Sequence, residues 1–366
     1  MKTSRRQFLG TSAWAAAGLT LSAGCASTER AQKRAQIMTV RGPIRPKELG
    51  PTLPHEHIFL DFIGADQVSR DRYDAEEVFQ IARPHLQLLK DCGGQSLVEC
   101  TPAYIGRDPL LLRRLSAATE LHVLTNTGYY GASQNLYLPR HAWTETADEL
   151  AARWLTEWRD GIEGTDVYPG FIKIGVDAGK LSDMHRKLVR AAARTHLVSG
   201  LTIAAHTGDG TAALDELSVL REEGAAPSAF IWVHAQEEKN TESHLQAAEL
   251  GAWVEFDHIS DQTLEAHVDL VKMMKARGFL NRTLVSHDAG WYQADKPGGG
   301  EYRPYDTIFK KFIPALRQEG FSAEEIDLLM ITNPREAFTI RIRSASGSGA
   351  GSRSTAARLG GRANLC

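Results

Sequence analysis

The chain has 366 residues, 24% of them charged and 42% hydrophobic, with a formal net charge of −3 at pH 7. Such a balance gives no electrostatic case for nucleic acid as a partner, and the apolar share is enough for one large core. Of the four cysteines, Cys25 and Cys366 lie near or at the ends, and Cys92 and Cys100 read as free thiols rather than a bridge or a metal finger.

Residues 1–28 read as a leader outside the fold. Ser4-Arg5-Arg6-Gln7-Phe8-Leu9 resembles a twin-arginine export signal, followed by an apolar stretch from Ala13 to about Ala23 that is too short to span a membrane. Leu21-Ser22-Ala23-Gly24-Cys25 resembles a lipoprotein cleavage box with Cys25 as the lipidated residue, although Ser22 stands where leucine is usual. The expectation is export to the periplasm, free or held at the membrane through Cys25. At the other end, Ser344–Cys366 is rich in Ser, Gly, Ala and Arg without hydrophobic period and is expected to be a disordered tail. The domain proper is expected over residues 29–343.

Between these ends, short apolar runs alternate with helical patterns. The runs are Pro51–Pro54, Ser96–Cys100, Leu121–Thr125, Phe171–Ile174, Leu201–Ala205, Phe230–Val233, Ala252–Phe256 and Thr283–Ser286. Helical patterns cover Ala75–Asp91, Pro109–Thr119, Thr146–Asp160, Ser182–Ser199, Thr211–Glu223 and Thr241–Leu250, several stopping at a glycine such as Gly200 or Gly251. Strand–helix alternation argues a parallel sheet. Eight such units over roughly 290 residues predict an α/β fold of the (β/α)8 TIM-barrel type. A doubly wound open sheet is the alternative, but no glycine-rich phosphate loop follows the first run.

Metal-binding side chains recur at the ends of these runs, where barrel enzymes keep their active sites. His55 and His57 are two apart, so an extended chain turns both to one side. Lys173 sits inside an apolar run, where a lysine is costly unless neutralised or paired. His206, His234 and Asp288 each close a run. Singly, a strand-end histidine is a hydrogen-bonded scaffold residue and a strand-end aspartate a helix cap. At several strand ends together they predict a metal site. Nitrogen ligands with a carboxylate suit zinc and its divalent neighbours. Five ordinary ligands exceed one open catalytic site and suggest two metals sharing a bridge.

The stretches His55-Glu56-His57, Gly106-Arg107-Asp108, Thr127-Gly128-Tyr129-Tyr130, Phe171-Ile172-Lys173, Arg190–Arg194, His206-Thr207, His234, Phe256-Asp257-His258-Ile259 and Asn333-Pro334 fall in the order and spacing of one known family. Over roughly residues 38–340 the chain resembles the phosphotriesterase family of the amidohydrolase superfamily. The resemblance implies a binuclear centre of two divalent ions, zinc first, with cobalt, manganese or iron as alternatives. It would place His55, His57 and Asp288 on the more buried ion and His206 and His234 on the more exposed one. Lys173, as a carbamate, would bridge the two with a hydroxide. The hydroxide would attack a carbonyl carbon or phosphorus, Asp288 would accept the proton, and His258 would pass it outward. Glu237 is the nearest match to an aspartate that ends this relay in some members. A homodimer is implied by the resemblance alone.

Tyr130, Trp291 and Tyr292 are candidate substrate contacts, with core or lid packing as the plainer reading of each. The expected substrate is a small-molecule ester: a lactone or related carboxylic ester, with phosphotriesters as a side activity or, alternatively, the main one. A non-catalytic exported binding protein is the alternative of another class; a mononuclear deaminase-like site would not need Lys173.

Overall fold

The computed structural model describes residues 35–345. The leader with Cys25 and residues 346–366 of the expected tail lie outside the described residues. The chain opens with a small antiparallel hairpin, β1 (Ile37–Thr39) and β2 (Gly42–Ile44). The barrel strands follow: β3 (Thr52–Leu60), β4 (Ser96–Glu99), β5 (His122–Leu124), β6 (Asn126–Thr127), β7 (Phe171–Val176), β8 (Thr202–Thr207), β9 (Phe230–Val233), β10 (Trp253–Phe256), β11 (Thr283–Val285) and β12 (Gly290–Gln293). All pair in parallel, in two runs: β6-β7-β8-β9-β10-β11 and β12-β3-β4-β5. β5 and β6 are two halves of the third strand position, interrupted at Thr125. β11 and β12 are likewise two halves of the eighth, and the pairing of Gly290 with His57 closes the barrel.

The expected (β/α)8 architecture is therefore present, with two local differences. The first strand runs on past Pro54 to Leu60, so the histidine pair lies within a strand rather than after it. Beyond the eighth run a further strand, β12, follows Asp288, because Gly290, Tyr292 and Gln293 add to the edge of β3. A helix at Leu264–Ala276 and helical turns between Ile308 and Phe338 complete the shell.

Side-chain capping sets the helix starts. Asp74, Asp108, Thr146, Ser182, Asp209 and Asn240 each accept a first-turn N–H, which supplies partners for donors that have none inside the helix. The strands alternate inward and outward side chains, with one irregularity in β3 between Leu53 and Glu56. On β7, Ile172, Ile174 and Val176 pack outward against helices, whereas Phe171 and Lys173 face the barrel interior. The lower interior is apolar: Val98, Leu124, Phe171, Ile231 and Leu284 are closed from below by Ile37, Leu49 and Phe338.

The C-terminal segment latches this lower end. Buried Arg343 donates to the carbonyls of Glu336, Ala337 and Thr339 at 2.9, 3.1 and 3.2 Å and to Thr202 Oγ1 at 3.0 Å. Its own backbone N–H donates to His196 Nε2 at 2.9 Å. Ser344 bridges to Ala225, and Ala345 N–H donates to the Gly224 carbonyl at 2.9 Å. The first two residues of the expected tail are thus pinned to the barrel.

Candidate metal centre

One polar layer higher, the interior changes character. Period-two alternation brings His55 and His57 from β3, Lys173 from β7 and His206 from β8 to the same cavity, and His234 and Asp288 join them from just beyond β9 and β11. His57 Nε2 is 3.2 Å from Asp288 Oδ1, and His55 Nε2 is 3.7 Å from the same oxygen. Lys173 Nζ is 3.5 Å from His55 Nε2. The rings of His206 and His234 are 4.5 Å apart, and those of His55 and His234 5.0 Å. Ligand atoms of His55, His57 and Asp288 lie within 4.8 Å of one another.

The Asp288 turn is held by the middle residue of the histidine motif. Glu56 is fully buried. Its Oε1 accepts from Ser286 Oγ, His287 N and His287 Nδ1 at 2.8, 3.0 and 2.8 Å, and its Oε2 accepts from Ala289 N at 2.8 Å. The Ile308 N–H donates to His287 Nε2 at 2.9 Å, so the His287 proton sits on Nδ1, facing Glu56. His287 accordingly points away from the centre. Asp288 itself has φ +48°, a left-handed conformation unfavourable for a non-glycine residue, which these four bonds maintain. Gly290, at φ +91°, has no room for a Cβ, which would lie 2.1 Å from the His57 carbonyl.

Two carboxylates orient the histidines from behind. Asp257 Oδ1 is 2.7 Å from His234 Nδ1, and Asp257 Oδ2 is 3.0 Å from His55 Nδ1. Glu255 Oε1 is also 3.0 Å from His55 Nδ1. Gln236 Nε2 donates to Asp257 Oδ1 at 2.7 Å and steadies it. Sequence reading gave Glu255 and Asp257 no role. Their spacing of two within an apolar run is the signal that singled out His55 and His57, and it places both on the interior face.

The electrostatics suit ligation. Burial lowers His57 to a pKa of about 4 and His206 well below the ordinary imidazole value, so both are neutral with free lone pairs at pH 7. His55 is the exception. Burial and the Lys173 ammonium oppose its charge, but Asp257 and Glu255 outweigh them and raise it to about 10. Burial also opposes the charge of Asp288, and the surrounding His57, His55 and His234 still hold its carboxyl well below the usual range. Lys173 is 2% exposed, and among the described residues it forms no ion pair with any carboxylate. Four imidazoles, a carboxylate and a buried lysine without a counter-ion fit divalent metal ions of the zinc type.

The cavity above these groups measures about 160 Å³ and is walled by Leu60, Phe62, Ile105, Tyr130, Tyr137 and Trp291. The Tyr130 ring is 5.0 Å from that of His206 and the Trp291 ring 5.7 Å from that of His57. Tyr292 is a correction. It is buried on the other side of β12, against Phe59 (6.2 Å between rings), because strand alternation turns it away from its neighbour Trp291. His258 and Glu237 are both exposed, and the His258 imidazole makes no hydrogen bond among the described residues. The carboxylate that reaches inward at this point of the barrel is Asp257.

The profile of the Phosphotriesterase family matches residues 35–338. The chain is 31% identical over 293 residues to the phosphotriesterase homology protein of Escherichia coli strain K12, an alignment covering 79% of this chain and 98% of that one. It is 26% identical over 349 residues to the N-acetyltaurine hydrolase of Tetraodon nigroviridis, covering 84% and 98%. A mutant of the organophosphorus hydrolase from Deinococcus radiodurans superposes with a TM-score of 0.74 at 25% identity, covering 82% of this chain and 97% of that structure.

Proposed function

Since the chain belongs to the phosphotriesterase family and is a hydrolase of that family, we propose that it is a binuclear metal-dependent enzyme acting on a lactone or another uncharged carboxylic ester. The observation that carries this reading is Lys173, fully buried beside His55 with no anion to pair with among the described residues. An ammonium in that position is costly. As a carbamate it becomes an anionic oxygen donor, and the cost turns into a ligand bond. His55, His57 and Asp288 would hold one ion, His206 and His234 the other, and the Lys173 carbamate both. When bound, the two ions supply Lewis acidity toward a carbonyl or phosphoryl oxygen and a nucleophile from water at neutral pH.

The chain's own residues supply the rest. Asp257 and Glu255 hold the His55 ring, and Asp257 holds His234, so that their Nε2 atoms face the cavity. Asp288 stays ionised. Its Oδ1 faces His57, and the carboxylate would be the group that takes a proton from water. Trp291 and Tyr130 shield the centre from bulk solvent. Apart from the ligand set, the cavity is lined by no arginine, lysine or carboxylate, which suits a neutral substrate better than an anion.

Phosphotriesters are neutral too, and the likeness to an organophosphorus hydrolase favours phosphotriester hydrolysis as the second reading. The export signal proposed in residues 1–28 would deliver the enzyme to the periplasm, free or anchored at Cys25.

The test is metal analysis of the purified mature chain together with turnover of a lactone, an aryl carboxylic ester, a diethyl aryl phosphotriester and, as an amide, N-acetyltaurine. About two divalent ions per chain with preference for the lactone or ester is the expected result. Faster triester turnover would move the second reading to first place, and amide preference would overturn both. Two ions without turnover would remove the substrate assignment alone. No firmly held metal after growth with zinc, cobalt, manganese or iron would overturn the proposal and leave a binding protein on the same barrel.

A further inference from the structure

His57 presents Nε2 to Asp288 and turns Nδ1 the other way, into a run of buried polar groups. Thr101 Oγ1 lies 2.8 Å from His57 Nδ1 and 3.1 Å from the Phe59 carbonyl, and it touches Glu99 Oε1. Glu99 is 1% exposed. The Ile58 N–H donates to its Oε1 at 3.3 Å, and its Oε2 has no partner among the described residues. Among the described residues Glu99 forms no ion pair, and Arg107 acts on it only at a distance.

The hydroxyl of Thr101 has one proton and two lone pairs for three neighbours. The Phe59 carbonyl can only accept. If the hydroxyl proton goes there, both lone pairs are left for donors, namely His57 Nδ1–H and the carboxylic acid of Glu99. All three contacts are then hydrogen bonds. If His57 instead carries its proton on Nε2, the hydroxyl proton turns to Nδ1 and the Phe59 carbonyl meets a lone pair. The arrangement that satisfies every contact therefore keeps the proton on Nδ1 and leaves the Nε2 lone pair aimed into the cavity.

We propose that Glu99 and Thr101 are positioning residues for His57, fixing its ring rotation and placing its proton on Nδ1 so that Nε2 is free to ligate. This rests on the ligand role proposed for His57. Outer partners of metal-bound histidines set affinity by about 10–100-fold, and Thr101 is the group that contacts the ring directly.

The experiment compares Thr101→Val, Thr101→Ser, Glu99→Gln and His57→Asn in the whole mature chain. Zinc affinity is measured by chelator competition, the ligand field by the visible spectrum of the cobalt-loaded protein, and folding by the Tm of the metal-free protein. Thr101→Val is expected to weaken zinc binding about 10–100-fold and to alter the cobalt spectrum in a protein that still unfolds cooperatively, with some fall in Tm from the lost hydroxyl bonds. Thr101→Ser is expected to recover the affinity to within about threefold, because it restores the hydroxyl. Glu99→Gln is expected to stay close to wild type, because its amide can donate to Thr101 Oγ1. Wild-type zinc affinity and cobalt spectrum in Thr101→Val, with an ion lost in His57→Asn, would overturn the positioning role while leaving the metal centre intact. Equal losses in the valine and serine variants, accompanied by a lower Tm, would also overturn it, since packing alone would explain them. Full metal content in His57→Asn would overturn the ligand role and this inference with it.

Discussion

The two ends of the barrel each bury a cation, and they treat it in opposite ways. At the lower end, Arg343 is surrounded by acceptors: three carbonyls at the end of the last helix, and the hydroxyl of Thr202. Among the described residues the Thr339 carbonyl has no other side-chain donor, while that of Ala337 also accepts from Thr202 Oγ1 and that of Glu336 from Arg341 Nη2, so the cation completes the partners of the helix end. At the upper end, Lys173 has one hydrogen-bond partner among the described residues, an imidazole nitrogen at 3.5 Å. Both residues are almost fully buried. A structural cation is recognised by the acceptors gathered around it: both Nη atoms of Arg343 have them, and only its Nε is without a partner among the described residues. A cation kept without such acceptors contributes no stability as it stands, and its place has to be explained by chemistry.

The largest expected effect follows from replacing Lys173. Lys173→Met should remove bound metal and lower turnover by at least about a thousandfold, a loss of several kcal/mol of transition-state stabilisation. The metal-free variant should be as stable as wild type or more so, because an unpaired buried charge gives way to an apolar side chain of similar length. Short carboxylates such as acetate or propionate should restore part of both metal and activity. Unchanged metal content would remove Lys173 from the centre and end the contrast between the two cations. At the lower end the effect has the opposite form. Arg343→Met leaves the Thr339 carbonyl without its donor and takes one bond each from Glu336, Ala337 and Thr202, and should cost about 3 kcal/mol, read as a fall in Tm on the order of 5 °C. Metal content and kcat at a permissive temperature should stay at wild-type levels. A metal defect in this variant would show that the latch reaches the site.

The sequence makes one of these cations visible and conceals the other. Lys173 stands out because it interrupts Phe171-Ile172 and Ile174, and the alternation that reveals it also fixes its direction. His55, His57, His206, His234 and Asp288 are legible for the same reason: polar side chains at the ends of apolar runs. Arg343 lies in a stretch of Ser, Arg and Ala whose composition resembles that of the tail, and its acceptors come from a helix end several residues earlier. Strand β12 escaped notice because Gly290 and the glycines at 298–300 suggest a loop, and without the strand nothing shows that Trp291 and Tyr292 must point in opposite directions. The partners behind the ligands are the least legible. His57 meets Thr101 and His55 meets Asp257 across 44 and 202 residues of chain, and no local period encodes such pairings.

The smallest expected effect lies between the two extremes, at a buried acid that is neither latch nor ligand. Burial raises the Glu99 carboxyl to about 8, outweighing Thr101 and Ile58, whose bonds to an ionised carboxylate would lower it. Between the unfolded value of 4.5 and that folded value, the native chain holds a proton that the unfolded chain releases. The native state therefore binds more protons, and stability falls as pH rises through this window. Glu99→Gln has no proton to lose there. Relative to wild type, the metal-free variant should gain stability with rising pH, by about 2 kcal/mol between pH 6 and pH 7.5, read by urea unfolding at both values. A difference that stays constant across the window would mean that Glu99 is ionised in the folded chain. The hydroxyl proton of Thr101 would then go to Glu99, with the Phe59 carbonyl left to a lone pair, and the upper end of the barrel would bury a second uncompensated charge besides Lys173.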